Sequence, residues 1–488
     1  MGGEPEHPWL RWIPSIESLL TESRPLPELD AVPRPARADL LREAASELRE
    51  SLRAGDLPRD LRALSPETTD AGALRQGLTE DVLRRATSKA RALSRPFYRR
   101  AINATGVILH TGLGRAPLPG AALRQVSEEL RGYSILQQSV ETGQRSRRDA
   151  GVEVLLCRLT GAGAATVVNN NAAATMIALQ ALAAGREVIV SRGQLIEIGG
   201  SFRLPDVMAA SGARLIEVGT TNKTHARDYE GAITDRTAAI MRVHPSNYRI
   251  HGFTKSVPTA ELAAIAGPRG IPLIDDIGAG ALVDLSRFGF EKEPTIQESL
   301  RDGADLVLSS ADKLIGGPQG GIILGRADLV ASIRKSPLAR IVRVDKLTLA
   351  ALDATLRLFL DADNAWEAIP TLRMLRRPIA DVAAEAEALC RNLRASIARP
   401  AEITLEEGCS FLGGGSLPEQ ELPTRLVAIR IEPPGATELA SRLRRGSPAI
   451  FARIHDDRLL IDPRTLLSGE GDEVVAAVLA ALDPGPAA

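Results

Sequence analysis

The feature that most constrains the fold is an alternation of short apolar runs with helical stretches between residues 150 and 325. The apolar runs lie at 165–169, 187–191, 214–218, 238–243, 272–276, 305–310 and 321–325. The intervals between them suit helical crossovers, so the pattern predicts a mostly parallel sheet covered by helices on both faces. Ligands of such sheets bind beyond the carboxyl ends of the strands. Residues that directly follow the runs are therefore the first candidates for a functional site.

The rest of the chain predicts further domains, because 488 residues exceed what one compact core normally organises. Helical spacing between proline-rich breaks predicts a small helical N-terminal domain over 1–80. Residues 81–150 are expected to be a linker and the N-terminal part of the catalytic core, and 151–345 the large domain. Residues 346–488 predict long helices followed by a smaller α/β domain, with a Gly- and Pro-rich loop at 409–423.

Charge and composition exclude several classes of protein. The formal net charge is −1, so bulk charge does not indicate a nucleic-acid binder. From Arg84 to Arg100, however, seven residues are basic and none is acidic, which fits either a solvated helix face or a contact with phosphates. The three cysteines are far apart without metal-ligand spacing. With no signal peptide and no apolar run of membrane-spanning length, the expectation is a cytoplasmic protein that holds no metal and contacts no membrane.

The first candidate site element lies between the run at 165–169 and a helix. Asn169, Asn170 and Asn171 come first, and small residues from Ala172 to Ala174 open the helix. The free amides and the dipole of a helix N-terminus favour an anion, so this segment predicts a phosphate site. An Asn-capped turn without a ligand is the alternative.

Two further elements follow on the same predicted sheet. Asp276 ends an apolar strand, where a carboxylate suits a protonated pyridine nitrogen or simply caps a turn. Lys313 follows the next run and precedes a Gly-rich turn, which suits either a Schiff-base lysine or a solvated one. The segment lacks the GxxxxGK[ST] pattern of a phosphate-binding loop. The chain thus has a cup for phosphate at a helix N-terminus, then an Asp at a strand end, then a lysine. This order resembles that of the fold-type-I, aspartate aminotransferase-like, pyridoxal-phosphate enzymes.

Longer segments resemble one family of that superfamily, bacterial selenocysteine synthase, the L-seryl-tRNA(Sec) selenium transferase. The resembling segments are INATGVILHTGLGRAPL (102–118), VETGQRSRR (140–148), SRGQLIEIGGSFRLPDVM (191–208), VHPSNYRIHGFT (243–254), SSADKLIGGPQGGIILG (309–325) and PLARIVRVDKLTLAALDATL (337–356). The resemblance covers nearly the whole chain. It implies an α/β fold of pyridoxal-phosphate type I and an enzyme that eliminates water from a seryl group and adds selenium from selenophosphate.

The resemblance also assigns roles to residues. Lys313 would carry pyridoxal 5'-phosphate and move the Cα proton, and Asp312 would steer that lysine or the leaving group, unless Asp312 only caps a turn. The implied cofactor-binding residues are Asn170, Asn171, Ala172, Asp276, Ser310 and Lys313. Arg115, Arg340 and Arg343 would line the selenophosphate pocket. On spacing alone, Arg340 and Arg343 would instead be interpreted as a surface pair one turn apart on a helix.

The resemblance also implies partners, and the sequence differs from the family at two positions. The resemblance implies seryl-tRNA(Sec) gripped by the N-terminal domain, and a homo-oligomer, a decamer built from five dimers with active sites between subunits. Gln194 stands where the family usually has Glu, and Gly112 where Asn is common. No residue that stacks on the cofactor ring is identified from the sequence, and His110, His244 and His251 are candidates only through their proximity to motifs.

Two other functions compete with this interpretation. A related lyase of the same fold could act on a small amino acid or an amino sugar phosphate, but such proteins typically lack the N-terminal domain. An inactive tRNA-binding protein is the second alternative. Retention of Lys313, Asp276 and the Asn-rich segment argues against it.

Overall fold

The computed structural model describes residues 8–58, 61–62, 64, 66–200 and 202–483. The expected absence of a signal peptide rests partly on residues 1–7, which lie outside this description, as does Ser201 of the segment 191–208. The chain divides into two compact units, one ending at Arg100 and one spanning Ala101–Leu482. Among the described residues, no helix is both long and apolar enough to cross a bilayer.

The first unit is helical. Its helices are α1 (Ile16–Glu22), α2 (Pro27–Asp30), α3 (Arg34–Arg53) and α4 (Ala71–Ser94). Leu74, Leu78 and Val82 recur at intervals of four in α4, so one face of this helix is buried along its length. The predicted boundary at residue 80 falls inside α4. The helix continues past it because Leu78 and Val82 belong to the same apolar cluster.

The second unit contains the strands. They are β1 (Ala101–Ala104), β2 (Ala164–Val168), β3 (Glu187–Ser191), β4 (Glu197–Ile198), β5 (Phe202–Arg203), β6 (Arg214–Val218), β7 (Thr237–Val243), β8 (Leu273–Gly278), β9 (Leu306–Ser310), β10 (Gly321–Gly325), β11 (Glu402–Gly413), β12 (Ser416–Arg430), β13 (Ala449–His455) and β14 (Arg458–Ile461).

The helices of the second unit pack against these strands. They are α5 (Gly120–Glu129), α6 (Ala150–Thr160), α7 (Asn171–Ala183), α8 (Leu204–Ala210), α9 (Ala226–Ala232), α10 (Thr259–Ala266), α11 (Ile296–Arg301), α12 (Ala327–Lys335), α13 (Leu338–Ile341), α14 (Lys346–Leu358), α15 (Ala362–Ala368), α16 (Pro370–Arg376), α17 (Ile379–Ser396), α18 (Ala436–Arg445) and α19 (Glu470–Leu482).

The large sheet has the order β2-β10-β9-β8-β7-β3-β6 and contains all seven apolar runs predicted as strands. Only β10 runs antiparallel to its neighbours, β2 and β9. Strands β2, β3, β9 and β10 are buried at every residue, because helices cover both faces. The carboxyl ends of β3, β7, β8 and β9 therefore meet at one edge.

The smaller sheet has the order β1-β13-β14-β12-β11. Its edge strand β1 pairs in parallel with β13, although more than 300 residues separate them in the chain. Ile102 and Ala104 enter the apolar core of this sheet. The segment 81–150, predicted as a linker and the start of the catalytic core, therefore also contributes a strand to the C-terminal domain.

Two local expectations differ from the structure. The long helices predicted at the start of the segment 346–488 are α14 to α17. They are broken at the capping Asp361 and at Pro370 and Pro378, since proline cannot continue the helix that precedes it. The prediction of a loop at 409–423 is wrong. This segment lies within the β11–β12 hairpin, which turns at Gly413, Gly414 and Gly415.

Candidate active site

A cavity of about 330 Å³ lies at the carboxyl ends of β7, β8 and β9. Its volume is at the lower end of the range, about 300–1,000 Å³, that small-molecule sites occupy. Seven of the residues predicted from the sequence line it: Arg115, Asn170, Asn171, Ala172, Asp276, Ser310 and Lys313. The sheet topology thus brings together side chains that are up to 198 positions apart in the chain.

The N-terminus of α7 forms the cup predicted for an anion. Asn170 caps the helix, and its Oδ1 accepts a hydrogen bond from the Ala173 amide at 2.8 Å. The amides of Asn171 and Ala172 have no acceptor inside the helix and remain available to a ligand. β10 begins at Gly321, where a Cβ atom would overlap the Asn170 carbonyl oxygen. The cup therefore depends on a residue without a side chain in the neighbouring strand.

Asp276 is buried and hydrogen-bonded on both carboxylate oxygens. Oδ1 accepts from Asn171 Nδ2 at 2.9 Å, and Oδ2 accepts from Thr175 Oγ1 at 2.9 Å. Asn171 and Thr175 are one turn apart on α7, so they face β8 together. Burial raises the pKa of the Asp276 carboxyl, while these hydrogen bonds and the charge of Lys313 act in the opposite direction. A cationic partner in the cavity would offset the cost of burying this carboxylate.

Lys313 follows β9 in a closed turn and is only 7% exposed. The turn is held by the Ala311 amide, which donates to the Gly320 carbonyl at 2.8 Å. Burial lowers the pKa of the Lys313 amine, the Asp312 carboxylate raises it, and the Arg115 guanidinium lowers it. A lowered pKa increases the neutral fraction of the amine, which is the nucleophilic form.

Arg115 and Asp312 form an ion pair beside Lys313. The distance from Arg115 Nη1 to Asp312 Oδ2 is 2.6 Å. Arg115 has a φ of 65°, an uncommon conformation for a residue with a side chain and one that clusters at functional sites. Asp312 therefore has a charged partner. About a third of the Arg115 side chain stays exposed at the cavity.

Arg340 and Arg343 do not line the Lys313 cavity. Arg343 pairs through its backbone with Val168 and lines a second cavity of about 310 Å³, together with Arg148 and Arg334. Burial lowers the pKa of the Arg148 guanidinium, and the charges of Arg343 and Arg340 lower it further. Within the described residues, the side chains of Arg340 and Arg343 have no ion pair. Arg334 is paired with Asp149 and Glu153, so the cations of this cavity without an ion pair among the described residues are Arg148 and Arg343. The cavity shares no lining residue with the Lys313 cavity.

Arg148 was not among the predicted site residues. Its Nε atom, like that of Arg334, is buried without a partner in the part of the chain that the structure describes. Buried donors are normally satisfied, so the Arg148 atom fits a bound anion, whereas Arg334 is already paired with Asp149 and Glu153. The signal in the sequence was the run of basic residues Arg145, Arg147 and Arg148 in the segment 140–148.

The tip of the β11–β12 hairpin was also missed. Gly414 and Gly415 line the Lys313 cavity with positive φ angles. A Cβ atom at Gly415 would come within 2.5 Å of Ile198 Cδ1. The apolar part of the wall consists of Ile196, Ile198, Phe202 and Val243. The run of three glycines was visible in the sequence, but its position over the site depends on how the smaller sheet packs.

The three histidines near the motifs differ in position. His244 lines the Lys313 cavity, and its Nε2 is 3.0 Å from Glu293 Oε2. His251 is exposed, and its Nε2 is hydrogen-bonded to Glu419. The ring of His110 lies beside Gly112, where a Cβ atom would contact it. Gln194 is buried, and its Oε1 accepts from the Val243 amide at 3.1 Å.

The residues of the cavity fit pyridoxal phosphate. Lys313 offers a buried amine, Asp276 a carboxylate for a ring nitrogen, and the α7 N-terminus with Ser310 a cup for phosphate. Asn171 Oδ1 is also buried without a partner among the described residues. A polar group in the cavity would satisfy it.

Comparisons with known proteins show the family of this chain. Residues 101–467 match the family model "L-seryl-tRNA selenium transferase". Proteins named L-seryl-tRNA(Sec) selenium transferase are 47% identical in Solidesulfovibrio magneticus (96% of this chain, 97% of that one) and 46% in Desulfomicrobium baculatum (97% and 98%). The protein of that name in Moorella thermoacetica is 51% identical, covering 80% of this chain and 83% of its own.

A solved structure shows a similar fold. D-Glucosaminate-6-phosphate ammonia-lyase superposes with a TM-score of 0.54 at 20% identity, covering 80% of this chain and 99% of its own. At this identity the similarity shows the fold alone. The α/β fold class predicted from the sequence, pyridoxal-phosphate type I, is confirmed.

Proposed function

Because the chain belongs to the L-seryl-tRNA selenium transferase family, we propose that it converts L-seryl-tRNA(Sec) to L-selenocysteinyl-tRNA(Sec), with pyridoxal phosphate as cofactor and selenophosphate as selenium donor. The observation that carries the proposal is the convergence of Lys313, Asp276 and the α7 N-terminus on one cavity in a chain that matches these relatives over nearly their full length. The reaction eliminates water from the seryl group and then adds selenium at Cβ.

Bound pyridoxal phosphate supplies an electron sink for bond cleavage at Cα and Cβ of the seryl group. Lys313 would hold the cofactor through its amine and would carry the proton at Cα, a task that suits an amine of lowered pKa. Asp276 would hold the ring nitrogen through a charge-assisted hydrogen bond. The phosphate would be held by Asn170, Asn171 and Ala172, with Ser310.

Asp312 and Arg115 act together on Lys313. The Asp312 carboxylate raises the pKa of Lys313 and the Arg115 guanidinium lowers it, so the ion pair sets the protonation of the lysine. The exposed part of Arg115 faces the cavity, where it is placed to bind a selenophosphate oxygen. A guanidinium binds such oxyanions through two parallel hydrogen bonds.

Arg340 and Arg343 are assigned to the selenophosphate pocket of a neighbouring subunit. Three facts support this assignment: they do not line the Lys313 cavity of their own chain, they have no ion pair among the described residues, and Arg148 adds a third cation nearby. Three adjacent guanidinium groups repel one another unless an anion binds between them.

The protein is proposed to be a homo-oligomer, a ring of five dimers as in the family. Large apolar side chains that are exposed on the second unit support an interface with another copy. They include Leu123, Tyr133, Ile135, Val140, Val154 and Leu347. Sites formed between subunits would also bring Arg340 and Arg343 to a partner's Lys313.

The first unit is proposed to bind the tRNA in the cytoplasm, where charged tRNA is found. Within it, Arg84 and Arg85 pair with Asp81, Lys89 with Glu43 and Glu47, and Arg91 with Glu28. These cations of the basic segment are therefore already neutralised.

The basic segment, Arg84 to Arg100, differs at its C-terminal end, where its residues are exposed. Arg95 and Arg99 have no ion pair among the described residues, and Phe97 and Tyr98 between them are 89% and 93% exposed. Exposed aromatic rings beside free guanidinium groups suit unpaired bases and phosphates of RNA. We assign the RNA contact of this segment to residues 95–99.

Selenium transfer tests the proposal. The wild-type protein should transfer labelled selenium from selenophosphate to seryl-tRNA(Sec). Lys313→Ala should lose both the visible absorbance of the cofactor and the transfer, whereas Arg340→Ala should keep the absorbance and lower the transfer. Unchanged transfer by Arg340→Ala would remove Arg340 from the anion pocket.

A further inference from the structure

A second polar cavity adjoins the Lys313 cavity. Its volume is about 400 Å³, and it lies beyond the ends of β3, β6 and β7. His244 lines both cavities, so the two are neighbours across one side chain. Gln194, Tyr248 and Lys255 are among the residues that line it.

Among the described residues, three of the four cations that line this cavity are ion-paired and one is not. Arg242 pairs with Asp275 at 2.7 Å, Arg249 with Glu291, and Lys292 with Glu298 at 2.8 Å. Lys255, in contrast, has no ion pair among the residues that the structure describes. Its backbone is fixed by hydrogen bonds with Asn222 and Thr224, both at 2.9 Å. The backbone bonds place this residue at the cavity, where its ammonium group is suited to bind a phosphate as a point charge.

Gln194 adds a free donor. It is 7% exposed, and because its Oε1 accepts from the Val243 amide, its Nε2 must be the donor. This nitrogen has no acceptor in the described part of the chain. Gln194 lines the cavity, so a ligand oxygen or ring nitrogen there is placed to accept a hydrogen bond from this Nε2.

Tyr248 gives the cavity a flat wall of fixed orientation. Its hydroxyl donates a hydrogen bond to the Gly193 carbonyl, which holds the ring in place. On the other side, His244 is held by Glu293 at 3.0 Å. Aromatic rings fixed in this way are the usual surfaces on which unpaired bases stack.

The chemistry of the proposed substrate determines which group must lie next to the reacting serine. The seryl group is esterified to the ribose of the terminal adenosine of its tRNA, so that nucleoside lies only a few bonds from Cα. When Cα is at Lys313, the adenosine must therefore occupy a space that adjoins the Lys313 cavity. The cationic cavity of Arg148 and Arg343 shares no lining residue with the Lys313 cavity, whereas the polar cavity shares His244.

We propose that this polar cavity binds the 3'-terminal adenosine of the charged tRNA and its 5'-phosphate. The base lies against Tyr248, the phosphate meets Lys255, and Gln194 donates to an acceptor of the nucleoside. The inference rests on the proposed function and adds to it the subsite that presents the serine to Lys313. Because these groups bind the nucleoside and do not touch the reacting atoms, their loss affects binding more than chemistry.

Steady-state selenium transfer with Lys255→Ala tests the subsite. The KM for seryl-tRNA(Sec) should rise about tenfold, as for the loss of one charged contact, with kcat and the cofactor absorbance nearly unchanged. Lys335→Ala, at the exposed end of α12, removes a cation outside the cavity and should change nothing.

Adenosine 5'-monophosphate is the direct probe. It should inhibit transfer competitively with seryl-tRNA(Sec), and its inhibition constant should rise in Lys255→Ala but not in Lys335→Ala. Absence of inhibition together with an unchanged KM in Lys255→Ala would overturn the subsite, while transfer by the wild-type protein would still support the proposed function. If the wild type transfers no selenium, the proposed function fails, and direct titration with the same nucleotide still decides whether the cavity binds it.

Discussion

At the scale of single residues, the site depends on how neighbouring charges set the state of Lys313. Burial lowers the pKa of the amine, and the two members of the Arg115–Asp312 ion pair act on it in opposite directions. The positions of Lys313, Asp276 and Asn170 were predictable, because residues that end parallel strands or begin the next helix face one edge of the sheet. The ion pair was not predictable, since 197 positions separate its members.

The two variants of this ion pair should move the pKa of Lys313 in opposite directions. Arg115→Gln removes a cation and raises the pKa, so the amine becomes neutral only at higher pH. Asp312→Asn removes an anion and lowers it, so the neutral amine persists to lower pH. The measurement is the rate of pyridoxal phosphate incorporation into the apoprotein against pH, followed by absorbance. Midpoints that shift in the same direction would contradict the assigned electrostatics.

The phosphate cup should depend on the missing side chain at Gly321. Gly321→Ala places a Cβ against the Asn170 carbonyl oxygen and should weaken cofactor binding about tenfold or more. Gly231→Ala is the matched control, because nothing lies within 4 Å of its Cβ and alanine favours the helix. Cofactor titration of both apoproteins is the measurement. Equal affinities would show that the cup does not need the close approach of β10.

At the scale of elements, the seven apolar runs predicted the large sheet, because strands buried on both faces are apolar throughout. The β11–β12 hairpin was mistaken for a loop. Its outer residues alternate between polar and apolar, and its glycines and prolines obscured the strand pattern. Strand β1 was likewise missed, because four residues carry too little pattern and its partner β13 is distant in the chain.

The hairpin tip should be needed for turnover rather than for folding. Gly415→Ala and Gly469→Ala both introduce a side chain at positive φ, at a cost of about 1–2 kcal/mol each. Only Gly415→Ala also drives a Cβ into Ile198 at the cavity wall, whereas nothing lies within 4 Å at Gly469. Selenium transfer should therefore fall more in Gly415→Ala at similar thermal stability. Equal activity of the two variants would exclude the tip from the site.

At the scale of the whole molecule, the Lys313 cavity and the cluster of Arg148, Arg340 and Arg343 lie apart within one chain. Sequence resemblance grouped Arg340 and Arg343 with Lys313, but it could not tell whether they meet within one chain or across an interface. The exposed apolar residues of the second unit favour an interface.

Complementation between inactive variants tests this arrangement. Lys313→Ala and Arg343→Ala should each be nearly inactive alone. Co-expressed in one oligomer, they should regain activity, because mixed interfaces contain sites with an intact lysine from one subunit and an intact arginine from the other. Mixing two Lys313→Ala preparations is the control. No recovery in an oligomer shown by mass to be mixed would place Arg343 at the site of its own chain.

The central claim is that Lys313 acts on a serine carried by tRNA. The most direct measurement gives the purified protein pyridoxal phosphate and selenophosphate, with seryl-tRNA(Sec) and free serine as parallel substrates, and identifies the amino acid produced. We expect selenocysteine on the tRNA and no turnover of free serine. Turnover of the free amino acid with the charged tRNA left unchanged would contradict it and assign the Lys313 chemistry to a small substrate.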